Sequence, residues 1–147
     1  MAELTELSAL SNNRGLIADP VAFARDAEAA SWLYLCGEAF AEMDGGMSYA
    51  DVQAAVDQSM NIVSDPPIEM TMDLARQHID ALDQLVRPTL VTCRTGPRSS
   101  AVIYLYAGLK AGATEEEVLA RAQTDDATFL RSEELVGWVK QGLAELA

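Results

Sequence analysis

The stretch Cys93-Arg94-Thr95-Gly96-Pro97-Arg98-Ser99 brings a thiol, two guanidiniums, a glycine and a hydroxyl within seven positions. It lies between two apolar runs. Thr89-Leu90-Val91-Thr92 has the β-branched character of a strand, and Ala101-Val102-Ile103-Tyr104-Leu105-Tyr106-Ala107 reads as a nearly fully buried helix that ends at Gly112. A strand leading straight into a helix gathers the intervening N–H groups at the helix N-terminus, where unpaired donors and the positive dipole end hold an anion. Gly96 lets the backbone curl there without a Cβ clash. Arg98 adds a planar fork of donors, and Arg94, Thr95 and Pro97 complete the expected cradle. The same field favours a thiolate at Cys93, which makes that residue a candidate nucleophile. A buried structural thiol is the competing reading, and the two flanking arginines, the glycine and the following helix outweigh it. For Arg98, anion binding outweighs a surface salt bridge to one of 23 acids. The direction of Arg94, into the cradle or away from it, stays open. Ser99 is at least a helix N-cap.

The remaining elements follow from punctuation and periodicity. Asp19-Pro20 opens a helix through about Ala30. Trp32-Leu33-Tyr34-Leu35-Cys36 is a buried strand, with Cys36 in the core. Ser48 and Asp51 form a capping box for a helix through about Gln58, and Asn61-Ile62-Val63-Ser64 is a short strand stopped by Pro66-Pro67. From Thr71 the apolar positions Leu74, Ala75, Ile79, Leu82 and Leu85 follow helical spacing. His78, on that helix, is expected to face solvent or to be hydrogen-bonded, with no catalytic role. Pro88 ends the helix. Thr114 and Glu117 cap a further helix, and Ser132 opens the last one, whose apolar side carries Leu135, Val136, Trp138, Val139 and Leu143. Strands alternating with helices predict an α/β fold, a small parallel sheet in three layers with helices on both faces.

The loop Val91-Thr92-Cys93-Arg94-Thr95-Gly96-Pro97-Arg98-Ser99 resembles that of the cysteine-dependent phosphatases and rhodanese-like sulfurtransferases, and most nearly the phosphatase-like domain of the beta-lactamase-hydrolase-like family, a relative of the dual-specificity phosphatases. The resemblance runs from about Asn61 to Ala122 and includes Gly108-Leu109-Lys110-Ala111-Gly112-Ala113-Thr114-Glu115-Glu116-Glu117. Residues 1–60 match poorly, Asn12-Asn13-Arg14 being at best a remnant, and residues 123–147 hold the terminal helix of what is expected to be one domain. Two positions depart from the tyrosine-phosphatase pattern: Thr92 stands where a histidine is usual, and Arg98 lies five positions after Cys93 rather than six. A shorter loop is what many rhodaneses have, whereas the tail from Ala113 to Ala147 lacks their following strand and Gly-Gly segment.

The resemblance implies a phosphatase in which Cys93 attacks phosphorus, Arg98 and the loop N–H groups hold the equatorial oxygens, and Ser99 donates to the departing thiolate. Such an enzyme needs an acid for the leaving oxygen. Asp65, 28 residues before Cys93, occupies the corresponding loop, with Asp73 as the substitute. The alternatives are a sulfurtransferase carrying a persulfide on Cys93, with Arg94 and Arg98 on the donor anion, and a non-catalytic anion-binding module of the same fold.

Composition limits the partners. Ten basic residues against 23 acidic ones give a net charge of −13, so no basic stripe is available for nucleic acid or an anionic membrane surface. Half the residues are hydrophobic in a chain of 147, enough for a core without metal or disulfide staples. With one histidine and no Cys-x-x-Cys pair, neither a metal nor another cofactor is expected. A start without a basic, apolar leader and two isolated cysteines suggest a reduced, cytoplasmic protein. The expected partner is a small anion, a phosphoester or a sulfur donor.

Overall fold

A computed structural model describes residues 2–147. A 3-10 turn, Thr5–Ala9, leads into the two-residue strand β1, Leu10–Ser11. There follow α1 (Pro20–Asp26), β2 (Ser31–Tyr34), α2 (Glu38–Ala41), α3 (Tyr49–Ala55), β3 (Gln58–Asn61), α4 (Met72–Gln84), β4 (Thr89–Thr92), α5 (Pro97–Ala111), α6 (Glu115–Thr124), a second 3-10 turn (Thr128–Arg131) and α7 (Glu133–Glu145). The four strands are all parallel in the order β1-β4-β2-β3. Every residue of β2 and β4 is buried, so the sheet centre is covered on both faces, as parallel sheets require. The α/β expectation holds.

Capping explains most helix starts. The Asp19 side chain accepts from Ala22 N, and both Ser48 with Asp51 and Thr114 with Glu117 form complete capping boxes. Thr71 and Ser132 cap α4 and α7 in the same way. The helix after the cysteine loop is buried from Ser99 through Gly108 and ends on left-handed Gly112. It packs on β4 and is itself covered by α4, α6 and α7, which makes it the central rod of the domain.

Four elements differ in their boundaries from the sequence expectation. The third strand is Gln58–Asn61, not Asn61–Ser64. The more polar segment pairs with β2 as an edge strand, while the apolar residues beyond it continue only as single bonds, Ile62 N to Tyr34 O and Ser64 N to Leu35 O. The helix from Tyr49 accordingly stops at Ala55, because Gln58 belongs to the sheet. The first helix ends at Asp26 rather than Ala30, just ahead of Glu28 at φ +53°. The strand over Trp32–Cys36 is Ser31–Tyr34, with Leu35 and Cys36 still fully in the core.

Candidate active site

Cys93 follows directly on β4, at the carboxyl edge of the sheet where ligands of parallel α/β folds bind. Its sulfur receives Gly96 N–H at 3.2 Å and Ser99 N–H at 3.4 Å. The Ser99 hydroxyl stands 3.3 Å from the same sulfur, within reach also of Asn12 Oδ1 and of Gly96 O. Two backbone N–H groups at the start of α5 thus converge on one atom, the arrangement that stabilises a thiolate. Gly96 is required for this geometry: its φ is +119°, and a Cβ would stand 2.2 Å from Asn13 O.

The cradle is tied from outside by the residues after β1. Asn13 accepts from Cys93 N at 3.3 Å and donates to Cys93 O at 3.0 Å, Asn12 Nδ2 donates to Gly96 O at 3.0 Å, and Gly15 N donates to Thr95 O at 2.8 Å. Asn13 is fully buried, so each of these bonds replaces water that the loop would otherwise need.

Facing the cysteine is the loop Ser64–Ile68. Asp65 is buried; its Oδ1 accepts from Gly37 N at 3.0 Å and its Oδ2 from Arg94 Nε at 2.8 Å. Arg94 also donates to Pro66 O at 2.9 Å and lies over the Phe40 ring. The Arg98 guanidinium donates to the carbonyls of Ser64 and Ile68, the latter at 2.6 Å. Both arginines therefore hold the Asp65 loop. Beneath it, Ser64 Oγ donates to Ile62 O at 2.9 Å and so accepts from His78 Nε2 at 2.8 Å. His78 is buried against Trp138, its Nδ1 has no partner, and burial pushes its pKa down to about 3. Of the two expectations for His78, the hydrogen-bonded one is observed and the solvent-facing one is not.

A cavity of about 270 Å3 separates the two loops, lined by Asp65, Cys93, Arg94, Thr95, Pro97 and Arg98 on those loops and by Ser132, Glu134 and Leu135 from the start of α7. A wider cleft of about 840 Å3 between residues 2–8 and α6 offers three glutamates, one arginine and no cysteine, so volume does not mark the chemistry. Cys36 lies close enough to feel Cys93 and Asp65; burial first, then these neighbours, pushes its thiol up to about 12. Asp73 sits in the first turn of α4, paired with Arg76 at 3.0 Å, and does not line the cavity.

No family model matches the sequence, and no curated protein matches it. Solved structures do. Tk-PTP in its active form superposes with a TM-score of 0.68 at 14% identity, over 93% of this chain and 92% of that one. PTPMT1 gives 0.61 at 10% identity, over 99% and 94%. The core catalytic domain of the PP-IP phosphatase SIW14 from S. cerevisiae, solved with citrate, gives 0.60 at 10% identity, over 94% and 80%. The fold is phosphatase-like. Of the sequence-predicted residues, Cys93, Arg94, Thr95 and Gly96 form the loop and Pro97, Arg98 and Ser99 the first turn of α5, with Asp65 facing them across the cavity. The N-cap is Gly96 rather than the expected Ser99, because the helix already begins at Pro97 and the Ser99 hydroxyl turns to Cys93 Sγ and Gly96 O. Asn12, Asn13, Gly37 and His78 were not expected to contribute. The run Asn12-Asn13-Arg14-Gly15 has turn composition, which signals a bend but not its docking 80 residues later in the chain.

Proposed function

We propose that the protein is a cysteine-dependent phosphatase acting on a small anionic phosphoester. The observation that carries this reading is the convergence of Gly96 N–H and Ser99 N–H on Cys93 Sγ, at a cavity whose opposite wall is Asp65. The sulfur attacks phosphorus, the S–P bond forms as the P–O bond to the leaving group breaks, and Asp65 supplies the proton that the leaving oxygen takes. Loop N–H groups and Arg98 hold the equatorial oxygens. In the second step water attacks phosphorus, Asp65 takes its proton, and the S–P bond breaks to leave a thiolate that accepts from the Ser99 hydroxyl. An incoming phosphoryl group competes with the carbonyls of Ser64 and Ile68 for Arg98 and with Asp65 for Arg94, which frees Asp65 Oδ2 toward the cavity. No metal or cofactor has a part in this scheme.

Hydrolysis of an aryl phosphate tests the reading. Cys93→Ser should lower kcat by at least about a thousand-fold and Arg98→Lys by about a hundred-fold; wild-type rates in both variants would overturn it. The loop sequence Cys93-Arg94-Thr95-Gly96-Pro97-Arg98-Ser99 supports the narrower placement beside the phosphatase-like domain of the beta-lactamase-hydrolase-like family, and the two free thiols suit a reducing cytoplasm. The five-position spacing from Cys93 to Arg98 favours a second reading, sulfur transfer. In that case the Cys93 thiolate attacks the outer sulfur of a donor such as thiosulfate, the donor's S–S bond breaks, sulfite leaves with the electron pair, and the persulfide that remains is one sulfur heavier by mass.

A further inference from the structure

Next to the cavity over Cys93 lies a second groove, of about 490 Å3, and the two share Thr95, Pro97 and Ser132 as a common wall. The groove carries two arginines, Arg14 and Arg131, and among the described residues that line it there is no carboxylate. In a chain with ten basic residues and a net charge of −13, two cations at one groove beside the cradle are a local reversal of sign. They are brought there by different parts of the fold. Arg14 sits between Asn13 and Gly15, whose bonds to Cys93 O and Thr95 O fix its backbone to the cysteine loop. Arg131 ends the 3-10 turn that precedes α7. Their nearest carboxylate is Asp126, at 4.0 Å from Arg14 and 3.5 Å from Arg131, long distances for ion pairs. Arg14 spends one Nη2 on Asp125 O and Asp126 O, at 3.1 and 2.7 Å. Two guanidiniums thus share one distant, exposed carboxylate and keep donors free for a further anion.

The geometry points to a subsite for a second anionic group: the substrate is a phosphomonoester whose leaving group itself carries a phosphate or carboxylate, the first phosphoryl over Cys93 and the second anion between Arg14 and Arg131. This rests on the phosphatase reading and names its substrate class. It also accounts for where the chain departs from the family resemblance. The cradle belongs to the resembling part, whereas Arg14 and Arg131 come from residues 1–60 and 123–147.

The test compares phenyl phosphate with α,ω-alkanediol bisphosphates from propanediol to hexanediol. Wild type should prefer the best-fitting bisphosphate in kcat/KM by at least about ten-fold. Arg131→Gln should remove part of that preference, and Arg14→Gln with Arg131→Gln nearly all of it, with phenyl phosphate turnover kept within about two-fold. Asp126→Asn, which keeps a residue tolerant of the φ of +53° at that position, should raise the preference by removing the competing charge. High salt should shrink it. A bisphosphate no better than phenyl phosphate, or equally good in the double variant, overturns the subsite. If wild type turns over neither compound, the phosphatase reading fails instead, and calorimetric titration with the bisphosphates judges the subsite alone. Binding must then weaken by at least about five-fold in the double variant; unchanged binding overturns the subsite.

Discussion

The Cys93 loop and the Ser64–Ile68 loop face each other across one cavity but are held by different means. The cysteine loop is fixed through main-chain groups: N–H donors on the sulfur, a left-handed glycine, and asparagines that bond its own carbonyls and N–H. The Asp65 loop, besides the main-chain bonds from Ser64 N to Leu35 O and from Gly37 N to Asp65, leans on the side chains of Arg94, Arg98 and, through Ser64, His78, and the two arginines are the groups proposed to meet the substrate. The first arrangement is complete before any ligand arrives. In the proposed mechanism the second must be partly undone by one, so that Asp65 would be released by the same anion that it then serves.

Variants can break or sharpen this contrast. Asp65→Asn should slow hydrolysis of an alkyl phosphate by about a hundred-fold or more while slowing 4-nitrophenyl phosphate by only a few-fold, because a good leaving group needs no proton. Equal losses on both would make Asp65 a structural residue. Gly96→Ala should cost roughly 2–4 kcal/mol in a denaturant titration and lose activity on every substrate alike, since a Cβ there meets backbone rather than a flexible side chain. Unchanged stability would mean that the cradle is softer than its bonding suggests.

The support under the Asp65 loop has its own pH signature. His78 is neutral and buried in the folded protein, with its pKa pushed down to about 3, whereas the unfolded chain titrates near the ordinary value for histidine, 6.5. Between these values the unfolded state binds the extra proton. The contribution is therefore intact above the unfolded pKa and is lost as pH falls, by about 2 kcal/mol between about pH 7 and about pH 5. His78→Gln keeps an N–H donor for Ser64 and lacks this titration, so wild type minus variant should show that slope. A flat difference would place His78 in contact with water. The smallest effect concerns the second thiol. Cys36, held neutral by burial, should resist iodoacetamide at neutral pH while Cys93 takes a single adduct in the native protein, as peptide mapping would show.

Much of the scaffold is legible in the sequence because local rules agree there. The caps at Asp19, Ser48, Thr71, Thr114 and Ser132, the β-branched run at Thr89–Thr92 and the continuous apolar helix each announce themselves within a few residues. The cysteine loop is legible for the same reason. What escaped is non-local. Strand β1 has two residues and no periodicity, and it exists only because β4 pairs with it. The polar segment Gln58–Asn61 is an edge strand chosen by register against β2 rather than by its own hydrophobicity. Asn13 looks like a turn residue until the chain folds it against Cys93, and His78, which shares the helical spacing of the buried Leu74, Ala75 and Leu82, finds its polar partner only in the distant Ser64.

The bonds between Asn13 and Cys93 close a loop of 80 residues. A chain emerging from synthesis makes its β2, β3 and α4 segments long before Cys93 exists to receive Asn13. Closing so long a loop carries an entropic cost that is repaid only once β4 and the start of α5 are in place. The surroundings of Cys93 are thus among the last features to be finished, assembled by the oldest part of the nascent chain meeting one of the youngest.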